Sequence, residues 1–347
     1  MQIHKHSTVI ALVSVLCCFI SCGHKHHVVT KGFYYWKTVY KPTAYELNTL
    51  KQLQVNKMYI RLFDVDWDYA AKQAVPVAPV RFPEHSDTQF NYVPVIFITQ
   101  RTLTNTTTTS LPALASNLIS LVSDMCRNSG ITPAEVQIDF DWTAGTRDIY
   151  FQLLKAIRLQ DFMKGKTLSC TIRLHQVKYL SSSGIPPVDK GLLMCYNMGD
   201  MKKLAAANSI LDVSAAKEYL GDLPGYPLHL DIALPLFSWC LLFEKEQMKG
   251  ILRSVQPENI LNNSLFEHKK DNLYSCRKDT LWEGYELKAN DIIRIESPSL
   301  EDISSIATYT ASRIKNSDVN VVFFHCDSLT LSKFSTNDLE KVYAIFE

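Results

Sequence analysis

Beyond Ile20 the chain has no long hydrophobic run, which excludes a bundle of membrane-spanning helices in its body. It also lacks a surplus of charge: 36 Lys and Arg stand against 35 Asp and Glu. No basic stripe interrupts that balance, so nucleic acid is not an expected partner. Nine cysteines are present, yet none sits in a CxxC pair or at a metal-ligand spacing from histidine. Neither a metal nor a cofactor is therefore expected. No internal repeat is visible.

What is present begins with a targeting segment. Met1 to His6 carry Lys5, and Ser7 to Ile20 are apolar but too short to cross a bilayer comfortably. The run closes on Phe19-Ile20-Ser21-Cys22 and reads as a signal peptide. Its ending resembles a bacterial lipobox, which implies lipidation of Cys22 as the mature N-terminus. Residues 1–22 are then the signal peptide, 23–32 a tether and 33–347 the body. His24, His26 and His27 read as stray residues of the tether. Gly23, rather than Asp, follows the lipid site, which favours a cell-envelope protein anchored at the outer membrane. Cys126, Cys170, Cys195, Cys240, Cys276 and Cys326 read as buried free thiols, with a disulfide left open in an oxidising compartment.

About 325 residues follow Cys22, a size that one α/β barrel reaches as a single unit. From Phe33 onward, β-rich segments alternate with helical ones. Strands are expected near 33–40, 57–63, 92–99, 135–142, 167–175, 192–197, 228–239 and 319–326. Helices are expected near 45–54, 111–128, 147–160, 202–220, 246–255, 303–314 and 337–346. Ser299 with Asp302, and Ser335 with Asp338, have the spacing of helix N-caps. Eight such units predict an α/β fold of the (β/α)8 TIM-barrel class. Residues 256–297 break the rhythm with short β-like runs and are expected to form a small β-rich insertion after strand seven.

The most informative stretch is Val136 to Thr143. Val136, Ile138 and Phe140 share one face, and Gln137, Asp139, Asp141 and Thr143 the other. Two carboxylates on the inner face of a barrel strand point to a polar cavity. Active sites of barrels sit at the C-terminal strand ends, and those ends offer carboxylates beside aromatics, a combination suited to a sugar. Asp141, Asp139, Asp64 and Asp66 are the candidate catalytic residues. Trp36, Trp142, Arg173, His175, Tyr196, Asn197, Trp239, His325 and Asp327 are the candidate binding residues. Trp36, Trp142 and Trp239 would form an aromatic shelf. Asp139, deeper than Asp141, is expected to pair with Arg61 or Arg173, and Asp231 also to need a partner, because a lone buried charge is costly.

Asp139-Phe140-Asp141-Trp142-Thr143 resembles the Asp-x-Asp-x-Glu signature on strand four of the family 18 glycoside hydrolases, the chitinase-like barrels. Met194-Cys195-Tyr196-Asn197 resembles their Met-x-Tyr-Asp on strand six. The chain is also similar to bacterial lipoproteins of the same barrel type. The resemblance implies that Asp141 orients the acetamido group of an N-acetylated sugar and that Tyr196 helps to hold it. The family's general acid is the Glu of that signature, and here the position holds Thr143, which is no proton donor at useful pKa. Three readings follow: a glycosidase with a relocated acid partnering Asp141 from Asp64, Asp66, Glu244 or Asp327; an inactive barrel that binds glycans; or a structural lipoprotein. A glycan and, through the lipid, a membrane are the expected partners.

Overall fold

The computed structural model describes residues 27–82, 90–197, 199–206, 208–253 and 255–347. The signal peptide, Cys22, His24 and His26 lie outside them. Eight parallel strands form a closed ring: β1 (Val28–Tyr35), β2 (Lys57–Asp68), β3 (Asn91–Ile98), β4 (Glu135–Asp139), β5 (Thr167–Arg173), β6 (Lys190–Met194), β7 (His229–Pro235) and β8 (Asp318–Phe324). Each pairs with its neighbours in sequence order. β1 closes the ring against β8, with Phe33 opposite Phe323, and against β2, with Phe33 opposite Met58. This is the expected (β/α)8 barrel.

Outward side chains of the strands bury against the surrounding helices. The helix Leu111–Asn128 shows why: Leu111, Leu114, Ala115, Leu118, Ile119, Val122 and Cys126 recur at three- and four-residue spacing and are all buried. Ser299 and Ser335 cap their helices through the backbone N–H groups of Asp302 and Asp338, as their spacing predicts. Gly191 on β6 is a packing requirement. A Cβ there would stand 2.6 Å from Ile172 Cγ1.

Several boundaries differ from the sequence reading. β1 begins at Val28, so residues 28–32 extend the barrel instead of a tether. His27 is fixed too: its ring nitrogens sit 2.7 Å from the Asn316 carbonyl and 3.1 Å from that of Ala311. β2 runs on to Asp68 because Gln73–Val77 returns antiparallel to it, Asp64 opposite Val77 and Asp68 opposite Gln73. Alternating Asp64-Val65-Asp66-Trp67-Asp68 resembles a loop in composition but is a half-buried hairpin arm. Among the described residues of the expected 202–220 helix, Val213–Tyr219 alone is helical.

The insertion starts earlier than expected. Among the described residues of 246–255 none is helical. Trp239–Glu244 and Gln247–Ile251 form a hairpin whose turn residues, Lys245 and Glu246, both have left-handed φ, 49° and 66°. These two strands join Ile292–Glu296, Leu273–Cys276 and Phe266–Lys270 in a five-stranded antiparallel sheet. The sheet has its own small core of Cys240, Leu242, Leu252, Val255, Ile260, Phe266, Cys276, Leu287 and Ile293.

Arg294 and Glu296, both fully buried, fasten this sheet to the barrel. Their side chains form an ion pair at 2.6 Å. Arg294 also donates to the carbonyls of Met201 and Leu204 at 3.2 Å and lies over the Phe243 ring. Glu296 accepts from the Ser209 backbone at 2.9 Å and from the Trp239 indole at 2.7 Å.

Candidate functional site at the barrel mouth

Most barrels of this type fill their axis with aliphatic side chains. Here the axis is polar from floor to mouth. At the floor Lys190 lies between Glu135 at 3.0 Å and Asp231 at 2.8 Å, and Lys57 reaches Glu135 at 3.0 Å. Ser169 donates to Glu135, and Asn320 donates to Asp231 through both backbone and side chain, at 2.8 and 2.6 Å. Asp231 is buried, which alone would raise its pKa. His229, Lys190 and Asn320 together outweigh that and hold it down to about 2.

One layer up, the Tyr34 hydroxyl donates to the Gln137 side chain. Above that, Asp139 accepts from Thr171 Oγ1 at 2.7 Å and pairs with Arg173 at 3.3 Å. The sequence allowed either Arg61 or Arg173 as the partner. Arg61 instead pairs with Asp64, three residues on along its own strand, at 2.6 Å. Burial pushes the Asp139 carboxyl above its ordinary pKa, against the pull of Arg173 and Thr171.

At the mouth, Asp141, Arg173, Leu174, His175, Tyr196, Asn197 and Tyr219 line a cleft of about 180 Å³. The Asp141 side chain is half exposed, with Oδ1 3.8 Å from His175 Nε2. Its segment is anchored from both sides. The Gln100 amide donates to the Asp141 carbonyl, and Gln176 donates to the Trp142 carbonyl at 3.0 Å. Arg173 also contacts the Met194 sulfur. The Tyr196 hydroxyl is buried and has no hydrogen-bond partner among the described residues.

Aromatic rings floor the mouth. Trp36 meets Phe324 at 5.6 Å between centroids, Phe324 meets Phe237 at 5.5 Å, and Phe237 meets Trp239 at 5.3 Å. Trp36 and Trp239 thus belong to one run of rings, completed by Phe237, which the strand-seven alternation places inward with Asp231, and by Phe324, which the sequence reading did not single out. Parity carried the signal there too, since Phe324 alternates inward with Asn320.

Trp142 is a correction. It is 1% exposed, stacks on Tyr150 and donates its indole N–H to the Ser183 carbonyl. It shares parity with Val136, Ile138 and Phe140, so it faces the helices and not the cleft. The other carboxylates expected at the site are engaged elsewhere. Asp64 is held by Arg61. Asp66 is held by Arg101 and Thr99, and the Arg101 hydrogen bonds keep it at about 2. Asp327 pairs with Lys37 at 2.9 Å and caps a short helix. Glu244 pairs with Lys249 on the insertion hairpin. His325 turns into the protein, and burial lowers its pKa. Thr143 is exposed, and its backbone N–H donates to Thr146 in the turn that precedes the helix Arg147–Arg158.

Chemically, the cleft offers one carboxylate to accept from hydroxyl or amide N–H groups. It offers Arg173 and Asn197 as donors, with the Tyr196 hydroxyl buried in its wall and the rings of Phe237 and Phe324 packed behind Tyr196. Among the described residues no cluster of three or more His, Cys, Asp or Glu is placed to hold a metal ion.

No protein-family model and no curated protein matches the chain. Solved structures do match. The spore cortex-lytic enzyme of Bacillus cereus superposes with a TM-score of 0.55 at 11% identity, over 92% of this chain and 75% of that one. The spore cortex-lytic enzyme of Bacillus megaterium QM B1551 gives 0.56 at 12% identity, over the same shares. A GH18 chitinase from the chitin utilization locus of Flavobacterium johnsoniae gives 0.51 at 14%, over 92% of this chain and 94% of that one. The fold is therefore that of the chitinase-like, glycoside hydrolase-like barrels.

Proposed function

We propose that this chain is a glycan-binding barrel that holds an N-acetylated sugar at its mouth without hydrolysing it. One observation carries the reading: among the described residues, Asp141 is the only carboxylate lining the cleft. Glycoside hydrolysis generally needs two carboxyl groups about 5–10 Å apart across the scissile bond, and the substrate-assisted route open to an acetamido sugar still needs a carboxylic acid at the leaving oxygen besides the carboxylate that orients the acetamido group. Asp64, Asp66, Glu244 and Asp327 are each tied to a cation elsewhere. Asp139 sits beneath Arg173 with a side chain only 5% exposed. Thr143 is no acid.

Binding is what remains well provided for. A half-exposed carboxylate, a fixed guanidinium and a buried tyrosine hydroxyl in need of a partner suit an acetamido group and its neighbouring hydroxyls. The aromatic shelf suits the apolar face of the ring. The chitinase and cortex-lytic barrels that share the fold are consistent with a sugar of this class. The lipobox-like Cys22 and Gly23 support attachment to the cell envelope at the outer membrane. Labelling with radioactive palmitate that disappears in Cys22→Ala is the check on that part.

The test of the site uses the chain from Gly23 onward. Chitobiose is titrated calorimetrically, and products of prolonged incubation are read by mass spectrometry. Binding without a product is expected, with Asp141→Asn weakening affinity at least tenfold at unchanged thermal stability. A wild-type product that vanishes in Asp141→Asn would overturn the non-hydrolytic reading. Unaltered affinity in that variant would overturn the site.

A further inference from the structure

Four of the five tryptophans are already placed, in the cores or on the shelf at the mouth. Trp142 lies inside the barrel core, Trp36 and Trp239 pack against it, and Trp282 packs against the core of the insertion on the Phe266 ring. Trp67 belongs to neither core and meets no other aromatic ring among the described residues. It sits half-buried on the outer arm of β2, opposite Ala74 of the returning strand. There it lines a cleft of about 210 Å³ between that hairpin and the helix Leu111–Asn128.

Leu114 and Ala113 continue the apolar wall beside the indole, and Lys72, Gln73 and Asn117 stand around it. The hydroxyls of Thr106 and Ser110 are spent on the carbonyls of Thr102 and Thr107. Gln73, Asn117 and Lys72 make no side-chain hydrogen bond to any described residue. A half-buried indole lining a cleft with two planar amides and one ammonium, none of them hydrogen-bonded to a described residue, is what a pyranose ring requires. The C–H face of the sugar stacks, and its hydroxyls find donors and acceptors. A nucleobase would stack equally well, but among the described residues Lys72 is the only cation lining the cleft, so they do not provide for a phosphate backbone.

The two clefts are neighbours on one short element. The helix Gln100–Asn105 starts at the Asp141 carbonyl, which Gln100 holds, and ends at Thr106 in the Trp67 cleft. At 1.5 Å per helical residue the two ends are about 9 Å apart, a span that an oligosaccharide of a few units covers. We infer that the Trp67 cleft is a second sugar site, taking a further ring of the same neutral glycan whose end lies at Asp141. This rests on the proposed function of the mouth. Two linked contacts raise affinity for long chains without new contacts to short ones.

The test compares chitobiose with chitohexaose by calorimetry on the full chain and on Trp67→Ala, Trp67→Phe and Asp141→Asn. Trp67→Ala is expected to lower hexaose affinity about tenfold and to leave biose affinity unchanged. Trp67→Phe is expected to keep most of the hexaose affinity, and Asp141→Asn to weaken both ligands. If Trp67→Ala does not fold by circular dichroism, the exposed double variant Gln73→Ala/Asn117→Ala replaces it, with a loss of several-fold for hexaose alone. Hexaose affinity unchanged in a folded variant overturns the inference, as does a wild-type chain that ignores hexaose but binds oligo-dT through Trp67. Hexaose binding that depends on Trp67 but not on Asp141 instead refutes the mouth and leaves the second site standing.

Discussion

Replacing Asp231 by Asn tests whether the polar axis holds the barrel together. Its carboxylate is almost wholly buried and accepts from Lys190 at 2.8 Å and from Asn320 at 2.6 Å. Those contacts, with His229, bring it from an ordinary 3.8 to about 2. A depression of that size is worth roughly 2.5 kcal/mol of folding stability at neutral pH. Removing one partner of a buried pair costs about 3–5 kcal/mol when the other charge is stranded. Lys190 keeps Glu135 at 3.0 Å, so it is not stranded, and the smaller figure should govern. The pH dependence carries a sign. A depressed carboxylate stabilises above its unfolded pKa and loses that contribution as pH falls from about 4 towards 2. His229, which the Asp231 carboxylate 3.7 Å away raises above 6.5, works the other way, stabilising below 6.5 and losing its contribution as pH rises through its folded value. The gap in urea-unfolding free energy between wild type and Asp231→Asn should therefore be widest between about pH 4 and 6.5. It should shrink strongly below that window and slightly above it. A gap that stays constant from pH 3 to 8, or stays below about 1 kcal/mol throughout, would refute the reasoning.

Trp142→Ala should cost about 3–5 kcal/mol of stability in thermal or urea unfolding, because the indole is core and not shelf. Loss of sugar binding with an unchanged melting curve would put it back at the rim. Arg294→Met strands the buried Glu296 and should destabilise by about 3–5 kcal/mol, with new protease cleavage inside 239–297; unchanged resistance would show that the pair does not fasten the insertion. Burial pushes the Cys126 and Cys240 thiols up to about 12 and leaves all six cysteines of the body unpaired and covered. A thiol-reactive chromophore should therefore react only on denaturation, and labelling of the native chain faster than it unfolds would contradict this.

The barrel was legible because alternation of strand and helix survives local ambiguity. Ends of elements did not, and each miss has a physical origin. Lys245-Glu246 turns a hairpin without the Asn or Gly that usually advertises one, so Trp239–Ile251 read as a strand end and a helix. Asp64, Asp66 and Asp68 gave the arm of β2 the composition of a loop. The inner face of β4 was correctly assigned by parity, and the same parity should have sent Trp142 outward. That Asp139 would be paired was foreseeable from its burial. Which arginine would pair with it was not, since Arg61 had a nearer carboxylate in Asp64. The floor cluster of Lys57, Glu135, Lys190 and Asn320 escaped notice because its members sit at strand beginnings, where charged residues usually meet solvent.

His27 carries one more consequence. Its ring is pinned to the Ala311 and Asn316 carbonyls, beside the start of β8. The polypeptide thus joins the barrel at its floor, the end remote from Asp141. Cys22 lies five residues earlier, a reach of about 18 Å at full extension. A lipid on that cysteine would act as a short leash on the underside of a cup. The cup would stand upright on its membrane with its opening turned outward. It would take glycan strands from the space beyond and would be turned away from the leaflet that holds it.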